Sequence, residues 1–459
     1  MMPKSLFKNQ LPYTLRTCPF APAVENVLQA ALEAVNPYSA VQRALSLQGC
    51  LLSIVHHQLD LSFFRHIYAI AIGKAASPML QACADVLGSH LSQALLITKS
   101  GHVQQTNAIP QLAVYEAAHP IPDERSVRAA QAVKRLLNQT QANDLVLFLI
   151  SGGGSALLTH PADGITLTDL QLLTDQLLKC GASIHQLNTL RKHLDEVKGG
   201  GLAAWAFPAC SVSLILSDVV GNPLDVIASG PTVADPTTFQ DALNILSQFD
   251  LCDKIPPSIL QYLKQGTQGL IPETLKPNDP RLSAAQNFII ASNEHAARAA
   301  CSQAQKQDFH PLLLTTFAEG EARHVGSLLA AIARQINLSN EPLPRPACVV
   351  IGGETTVTVR GNGLGGRNQE LALGAVKGLA GLKDTLLLTL ATDGGDGPTD
   401  AAGSVVSGDT LTRAAALSLN SEDFLQRNDS YHFFASLEDL IITGPTFTNV
   451  NDLAFLFAN

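Results

Sequence analysis

The 459-residue sequence predicts an α/β protein built from two α/β domains. Three observations support this fold class: apolar, β-rich runs recur along the chain, helical stretches separate them, and a proline-rich stretch interrupts the series. Strands that alternate with helices are typical of a doubly wound sheet covered on both faces. A chain of this length exceeds one ordinary hydrophobic core, so more than one domain is expected.

Apolar runs in the first half predict the strands of one sheet. They are HIYAIAIG (66–73), QALLIT (93–98), LAVYEA (112–117), DLVLFLIS (144–151) and SVSLILSD (211–218). Nearly continuous apolar runs are expected when a parallel sheet is buried on both faces. Helices are predicted between the strands at 124–138 and 167–180.

Residues 253–283 are rich in proline and poor in strand candidates, and we expect them to cross between domains 1–252 and 284–459. A second alternating series follows. Its predicted strands are 287–292, 310–316, 347–353 and 384–393, and its predicted helices are 293–307, 319–336 and 366–382. Thr355 to Arg360 alternates in a further strand pattern.

Composition excludes several function classes. The net charge of −9 argues against a nucleic-acid partner, because binding to phosphate backbones needs clustered Lys and Arg. The sequence has no apolar region typical of a secretory signal and no uncharged run long enough to cross a bilayer. The eight cysteines form no CxxC pair, so buried free thiols in a cytoplasmic protein are expected.

Two candidate binding segments follow predicted strands of the first series. Lys74 comes directly after the strand 66–73, and ligands of open α/β sheets collect at the carboxyl ends of strands. The run SGGGSALL follows the strand 144–151, and a glycine run at a helix start presents N–H groups to phosphate or carboxylate. A tight turn that needs glycine for packing explains that run equally well. Its candidate residues are Ser151, Gly152, Gly153, Gly154 and Ser155.

Two further segments carry polar candidates. NTLRKHLDEVKGGGLA (188–203) contains Asn188, Arg191 and Lys198, although an exposed helix with a glycine C-cap explains most of its residues. Asp218 closes the strand 211–218, and a carboxylate at a strand end followed by SGPT favours function over structure. The binding candidates in that segment are Ser229, Gly230 and Thr232.

ATDGGDGPTDAAG (391–403) places Asp393, Asp396 and Asp400 on a glycine-rich turn. Closely spaced carboxylates repel one another unless a cation or a basic residue neutralises them. Oxygen ligands on irregular backbone suit Mg²⁺, so Asp393 and Asp396 are candidate metal ligands. A solvated acidic turn with Asx-type caps is the alternative.

The stretch GGETTVTVRGNGLGGRNQELAL (352–373) places Arg367 at the start of a predicted helix. A positive charge is unfavourable there unless an anion neutralises it, and arginine can bind a phosphate or carboxylate bidentately. A salt bridge to Glu370 or to an acid of the other domain is the alternative. Glu354, Asn368 and Glu370 are further binding candidates.

Together these motifs resemble the glycerate 2-kinase family, whose C-terminal part is the MOFRL domain. The similar elements also include AHPIPDERS and TGPTFTNVNDL, and they follow the family order from about residue 20 onward. The resemblance implies a Rossmann-like N-terminal domain, a MOFRL region at about 346–456, and an active site in the cleft between domains.

The resemblance also implies ATP-dependent phosphorylation of D-glycerate at its 2-hydroxyl, with Mg²⁺. Lys74 and Arg367 match residues regarded as essential in the family, and Asp218 is a further catalytic candidate by match. In this interpretation Asp218 accepts the hydroxyl proton, and Asp393 or Asp396 holds Mg²⁺ with ATP. The expected partners are D-glycerate and ATP, and the expected assembly is a monomer or a homodimer.

The residues alone leave three other functions open. A hydroxypyruvate reductase that uses NAD(P) is the first, although GKAASPM follows the first strand where such enzymes carry GxGxxG. A kinase that acts on the 3-hydroxyl is the second, because no residue distinguishes the two hydroxyl groups. A binding protein without a cofactor is the third.

Overall fold

The computed structural model describes Phe7, residues 11–104 and residues 108–459. The chain divides into two compact units. The central unit is Pro37–Ile290, and the split unit combines the N-terminal segment ending at Asn36 with Ala291–Asn459. Each unit contains a six-stranded sheet with helices, so the predicted α/β fold class is confirmed. No helix within the described ranges combines the length and the apolar character needed to cross a membrane.

The central unit begins with a small antiparallel sheet and continues with a larger sheet. The small sheet pairs β1 (Leu45–Gln48), β2 (Leu51–Ile54) and β3 (His57–Asp60) in that order. The larger sheet contains β4 (His66–Ile72), β5 (Gln93–Lys99), β6 (Leu112–Ala117), β7 (Asp144–Ile150), β8 (Cys210–Leu216) and β9 (Ala285–Ala291). Its spatial order is β6-β5-β4-β7-β8-β9, and the pairings among β4 to β8 are parallel.

Helices cover this sheet. The α-helices of the central unit are Pro37–Ala44, Ala76–Leu87, Glu124–Leu137, Gly154–Leu157, Leu167–Lys179, Ile184–Leu194, Gly201–Ala206, Phe239–Gln248 and Pro257–Thr267. Asp123 and Thr166 each begin a helix with a capping box, which satisfies backbone N–H groups of the first turn. All seven residues of β7 are buried, as its continuous apolar run predicts.

The split unit contains the second six-stranded sheet. Its strands are β10 (His310–Ala318), β11 (Ala347–Gly353), β12 (Thr385–Ala391), β13 (Gly403–Ser407), β14 (Leu440–Ile441) and β15 (Asp452–Ala458). The spatial order is β10-β11-β15-β12-β13-β14, and β15 runs antiparallel to both β11 and β12. Its α-helices are Tyr13–Arg16, Ala21–Ala34, Asn293–Lys306, Ala322–Ser339, Arg367–Leu379, Thr410–Ala416, Ser421–Gln426 and Ser430–Ser436.

The division into units differs from the boundaries expected from the sequence. The N-terminal helix Ala21–Ala34 belongs to the split unit, where its apolar face is fully buried. Residues 253–283 belong to the central unit and contain the helix Pro257–Thr267, which buries Ile259 and Leu263. Strand β9, expected to open the second series, completes the sheet of the central unit.

The strand predicted at Thr355 to Arg360 is wrong, because only Thr356 forms an isolated bridge. Side-chain oxygens from distant helices and turns accept the N–H groups that a strand partner would otherwise take. Glu321 accepts from the Thr358 amide, and Asn428 accepts from the amides of Arg360 and Gly361. All eight cysteines are free as expected, but Cys50 is exposed and only Cys83 and Cys348 are buried.

Candidate active site

The turns that follow β4 and β7 are joined at the carboxyl edge of the central sheet. The Ser151 amide donates to the Ile72 carbonyl at 2.9 Å, and the Lys74 amide donates to the Gly152 carbonyl at 2.9 Å. The Ser151 hydroxyl oxygen accepts the Ala75 amide at 3.1 Å. Because parallel strands end at one edge, the predicted residues after β4, β7 and β8 lie together where ligands of such sheets bind.

The glycine run Gly152–Gly154 allows close approach between these turns. A Cβ atom on Gly152 would lie 2.1 Å from Oδ2 of Asp218, and one on Gly153 would lie 3.0 Å from the His119 ring. A Cβ on Gly154 would lie 3.1 Å from Cβ of Ala228. The following helix, Gly154–Leu157, has only four residues. Packing therefore accounts for these glycines, and a ligand on their amides remains a prediction.

Basic side chains surround His119 at this edge. The pKa of His119 falls to about 4, first because of burial and then because of the charges of Lys74, Lys99, His102 and Arg191. Among the described residues, the Lys74 ammonium has no hydrogen-bond or ion-pair partner. Such a group of cations attracts an anion. His119 was not a predicted site residue, although the motif AHPIPDERS contains it.

Asp218 and Arg191 are ionisable groups held in partly buried positions at this edge. Burial raises the pKa of Asp218, while its own backbone amide and the charge of Lys74 oppose that rise. Burial lowers the pKa of Arg191 to about 10, and Asp195 opposes that shift. Within the described ranges no carboxylate forms an ion pair with Arg191, which lines a small cavity with Ser155. Asp218 is therefore able to accept a proton, and the Arg191 guanidinium is able to bind an anion.

A chain of polar contacts joins three predicted residues next to this cavity. The Ser229 hydroxyl donates to Oδ1 of Asn188 at 3.0 Å, and the hydroxyl oxygens of Ser155 and Ser229 lie 2.8 Å apart. Ser229 has a φ of 63° and Gly230 a φ of 61°. A left-handed serine is strained, and strain of this kind concentrates at functional sites. The strained turn at Ser229 and Gly230 is therefore a candidate binding segment.

Two other predicted residues of the central unit form ion pairs or hydrogen bonds within that unit. Lys198 is buried and forms an ion pair with Asp195, three residues earlier. Thr232 is buried, donates to Oδ1 of Asn287 at 2.6 Å and accepts from Ser213 at 3.1 Å. These contacts explain both residues without a ligand, so their binding roles remain predictions.

In the split unit, β15 brings Asp452 between the ends of two strands. Asp452 pairs in register with Gly353 at the end of β11 and with Ala391 at the end of β12. The residues that follow those strands, Glu354 and the turn 392–403, therefore share one edge with Asp452. Sequence reasoning missed Asp452, whose only signal is its place in the motif TGPTFTNVNDL.

Arg367 begins the helix Arg367–Leu379 and binds acids of its own unit. Its Nε donates to Oδ2 of Asp452, its Nη2 donates to Oδ1 of Asp452 at 3.3 Å, and its Nη1 lies 3.2 Å from Glu354. Burial alone would lower the pKa of Arg367, but Asp452, Glu354 and Asp396 raise it. The unfavourable charge at this helix start is thus neutralised by acids of the same unit, whereas the alternative interpretation named Glu370 or an acid of the other domain.

The acidic turn 391–403 caps the same helix. Asp396 accepts the amides of Asn368 at 3.1 Å and Gln369 at 2.8 Å, which places a negative charge at the helix N-terminus. Burial raises the pKa of Asp396 to about 6, Asp452 adds to the rise, and the two amides oppose it. Asp393 closes an Asx turn by accepting the Gly395 amide at 3.1 Å.

The carboxylate of Glu370 is buried and fully used by the fold. Oε1 accepts Nε of Arg323 at 2.8 Å, and Oε2 accepts Nδ2 of Asn428 at 3.0 Å. Glu370 therefore ties its helix to Arg323 on the neighbouring helix and to the segment that holds Arg360. Its predicted binding role has no support from this geometry and remains a prediction.

The fold and these residues define a two-unit α/β protein with a cluster of basic residues at a sheet edge in one unit and an arginine among carboxylates in the other. Residues 23–264 match the family model described as a domain of unknown function, DUF4147, and residues 347–452 match the MOFRL family model. The chain belongs to the glycerate kinase family, which confirms the resemblance.

Named relatives support that membership. The chain is 42% identical to "Glycerate 2-kinase" of Pyrococcus horikoshii, with 92% of this chain and 94% of the relative covered. It is 41% identical to "D-glycerate 2-kinase" of Thermotoga maritima, with 93% and 95% covered. A crystal structure of a Thermotoga maritima glycerate kinase superposes with a TM-score of 0.85 at 39% identity, covering 95% and 99% of the two chains. A protein of Agrobacterium vitis named "Putative hydroxypyruvate reductase" is 39% identical, with 84% and 85% covered.

Proposed function

We propose that this protein is a glycerate 2-kinase, which transfers the γ-phosphoryl group of ATP to the 2-hydroxyl group of D-glycerate. Similarity to relatives of that name, over more than nine-tenths of the chain, supports the reaction. The structural observation that carries the proposal is the partly buried Asp218 carboxylate near the Lys74 ammonium, which has no ion-pair partner among the described residues, at the carboxyl edge of the central sheet. A substrate with a carboxylate and a hydroxyl group matches that pair chemically.

Each charged residue has a distinct proposed role. Lys74 and the surrounding cations bind the carboxylate of glycerate or the phosphoryl oxygens, since phosphoryl transfer depends on positioning and on neutralising charge. Asp218 accepts the proton of the attacking hydroxyl group, and its raised pKa makes it a stronger base than an exposed aspartate. Arg367 uses the N–H groups that its own acids leave free to bind ligand oxygens.

Magnesium is the metal ion that the family resemblance implies. The described residues contain no group of three or more His, Cys, Asp or Glu that could hold a metal. Mg²⁺ commonly needs only one or two carboxylates, because waters and nucleotide phosphates supply the other ligands. Burial and then the charge of Asp452 raise the pKa of Asp396, and burial and then the charge of Asp393 raise the pKa of Asp452, so this edge carries excess negative charge that a cation would relieve. We propose Asp393 and Asp396 as the residues that hold it, and bound Mg²⁺ would neutralise phosphate charge.

The deciding experiment incubates the purified protein with ATP, Mg²⁺ and D-glycerate, and couples the product to enolase without phosphoglycerate mutase. Phosphoenolpyruvate is the expected product, since enolase accepts only 2-phosphoglycerate. Lys74→Ala and Arg367→Ala should each lower the rate by about 10³-fold. Lys254→Ala and Arg334→Ala are matched controls at exposed positions and should retain activity.

Other outcomes of the same assay separate the alternatives. Phosphoenolpyruvate that appears only after mutase is added would identify a 3-kinase. The name of the Agrobacterium vitis relative favours a reductase as the second candidate. The sequence after β4, GKAA at 73–76, lacks the glycine fingerprint of dinucleotide binding. NADH consumption with hydroxypyruvate, without ADP formation, would favour that reductase. The assembly is proposed to be a monomer or a homodimer, which light scattering would distinguish.

A further inference from the structure

Arg367 is held along one edge by a single buried carboxylate. Nε and Nη2 of Arg367 both donate to Asp452, whose side chain is 11% exposed, whereas the Glu354 side chain near Nη1 is 46% exposed. A bidentate, buried contact fixes the plane of a guanidinium, while an exposed ion pair contributes little. Asp452 is therefore the partner that orients Arg367.

Asp452 is itself held firmly in place. Its backbone pairs with Gly353 on one side and with Ala391 on the other, and its carbonyl accepts Nδ2 of Asn293 at 2.9 Å. A side chain attached to a strand between two paired neighbours has little freedom to shift. The Asp452 carboxylate therefore gives the Arg367 side chain a fixed reference within the split unit.

The N–H groups of Arg367 that its acids do not bind lie on the outer edge of the guanidinium, where a ligand could bind. A guanidinium carries five N–H groups, of which Asp452 accepts two and Glu354 lies near a third. Among contacts of the described residues, at least one N–H on Nη1 and one on Nη2 remain unused. The Arg367 side chain is 36% exposed, so this outer edge is accessible to solvent.

We propose that Asp452 is a positioning residue for the kinase reaction: it binds the inner edge of the Arg367 guanidinium and thereby presents the outer edge to anionic oxygens of the substrate or nucleotide. This inference rests on the proposed ligand-binding role of Arg367. Asp452 itself contacts no ligand in this scheme, and it acts through Arg367.

A double-mutant cycle tests the proposal. Asp452→Asn should lower kcat/KM by about 10²-fold, because it misplaces the guanidinium while the cation remains. In the Arg367→Ala background, Asp452→Asn should change kcat/KM by less than about threefold, since the group it positions is already gone. Equal losses in both backgrounds would overturn the proposal, because they would indicate a general structural role. Retention of wild-type kcat/KM by Asp452→Asn would overturn it as well.

A second measurement reads the contact without activity. The ¹⁵Nε–¹H resonance of Arg367, assigned by its loss in Arg367→Lys, should be protected from exchange in the wild-type protein and unprotected in Asp452→Asn. Glu354→Gln is the matched control and should leave the Nε signal unchanged. If Asp452→Asn does not fold, Asp452→Glu keeps the charge and moves the carboxylate. Wild-type kcat/KM and a protected Nε signal in that variant would contradict the proposal. If Nε is protected in the wild-type protein but Arg367→Ala keeps full activity, the proposed role of Arg367 is refuted while its contact with Asp452 stands.

Discussion

Gly152 leaves the space that the Asp218 carboxylate occupies: a Cβ atom on Gly152 would lie 2.1 Å from Oδ2 and 2.8 Å from Cγ of Asp218. Only the end of the Asp218 side chain is in conflict, so an added methyl group would displace the carboxylate by rotation instead of separating the strands. The first residue of the glycine run therefore controls where the proposed base can stand.

Gly152→Ala should accordingly lower kcat by about 10²-fold and change the melting temperature only slightly, because it moves a proposed general base. The measurement is the enolase-coupled rate together with thermal unfolding. Asp218→Asn provides the reference, since it removes the base without adding volume. A Gly152→Ala enzyme with full activity would show that the Asp218 carboxylate need not occupy its observed position.

His119 should make stability depend on pH in the acid range. Its folded-state pKa of about 4 lies below the unfolded value of about 6.5, so the unfolded chain binds more protons between these values. Stability therefore rises with pH across that window and falls as pH drops from about 6.5 towards 4. The melting temperature of His119→Gln should fall less between pH 7 and pH 5 than that of the wild-type protein. An equal fall in both proteins would refute the assignment.

Buried polar contacts and an ion pair hold the N-terminal helix Tyr13–Arg16 against the rest of the split unit. Asp439 is fully buried, accepts the Thr14 amide at 2.9 Å and forms an ion pair with Arg413 at 2.8 Å. Asp439→Asn should lower the free energy of unfolding by about 2–4 kcal/mol, because it removes the buried carboxylate nearest to the largely buried Arg413 guanidinium. Urea unfolding measures the change.

The neighbouring residue provides the control for that experiment. Glu438 pairs with Arg16, but its side chain is 67% exposed. Glu438→Gln should lower the free energy of unfolding by less than about 1 kcal/mol, as is usual for surface pairs. Similar decreases in the free energy of unfolding for Asp439→Asn and Glu438→Gln would mean that burial does not determine how much these ion pairs stabilise the fold.

Substitutions of Glu370 and Glu354 are expected to differ in their effect on the free energy of unfolding. Glu370 is buried against Arg323 and Asn428, so Glu370→Gln should cost about 2–3 kcal/mol of unfolding free energy. Glu354 is much more exposed, so Glu354→Gln should stay within about 0.5 kcal/mol of the wild-type protein. A Glu370→Gln protein with wild-type stability and a raised KM would support the binding role predicted from the sequence.

Sequence pattern located the long buried strands because their side chains carry the signal locally. Strands β4, β5, β7, β8, β11 and β12 are apolar runs that are largely buried, whereas β6 and β10 show the same apolar pattern and are only partly buried. The short strands β1 to β3 lack such runs, and β15 was hidden behind a motif interpreted only for function. The placement of Ala21–Ala34 in the split unit depends on packing against residues far along the chain, which no local pattern records.

The positions of Lys74 and Asp218 at the carboxyl edge of the central sheet were predictable, because each charge follows a strand, and their roles stay predictions. The contacts between residues far apart in the sequence were not predictable. Arg367 and Asp452 are 85 residues apart, and their contact depends on the strand order of the split unit. His119 was overlooked because its surroundings, not its own position, make it unusual. The predicted strand at Thr355 to Arg360 failed for the same reason, since Glu321 and Asn428 accept its amides from outside the segment.

The central position of β15 has a consequence for biosynthesis. A ribosome releases residues 37–290 before it makes Asp452–Ala458, so the central unit can fold while the split unit still lacks an interior strand. At roughly 5–20 residues per second the delay is on the order of 10–30 s. The helix Ala21–Ala34, whose apolar face carries Val24, Val27 and Leu28, packs against the helix Asn293–Lys306, so it lacks that partner only until translation has passed residue 306. The N-terminal helix is therefore expected to gain its helical partner before the sheet of the split unit is complete, because that sheet is finished only when β15 has been made.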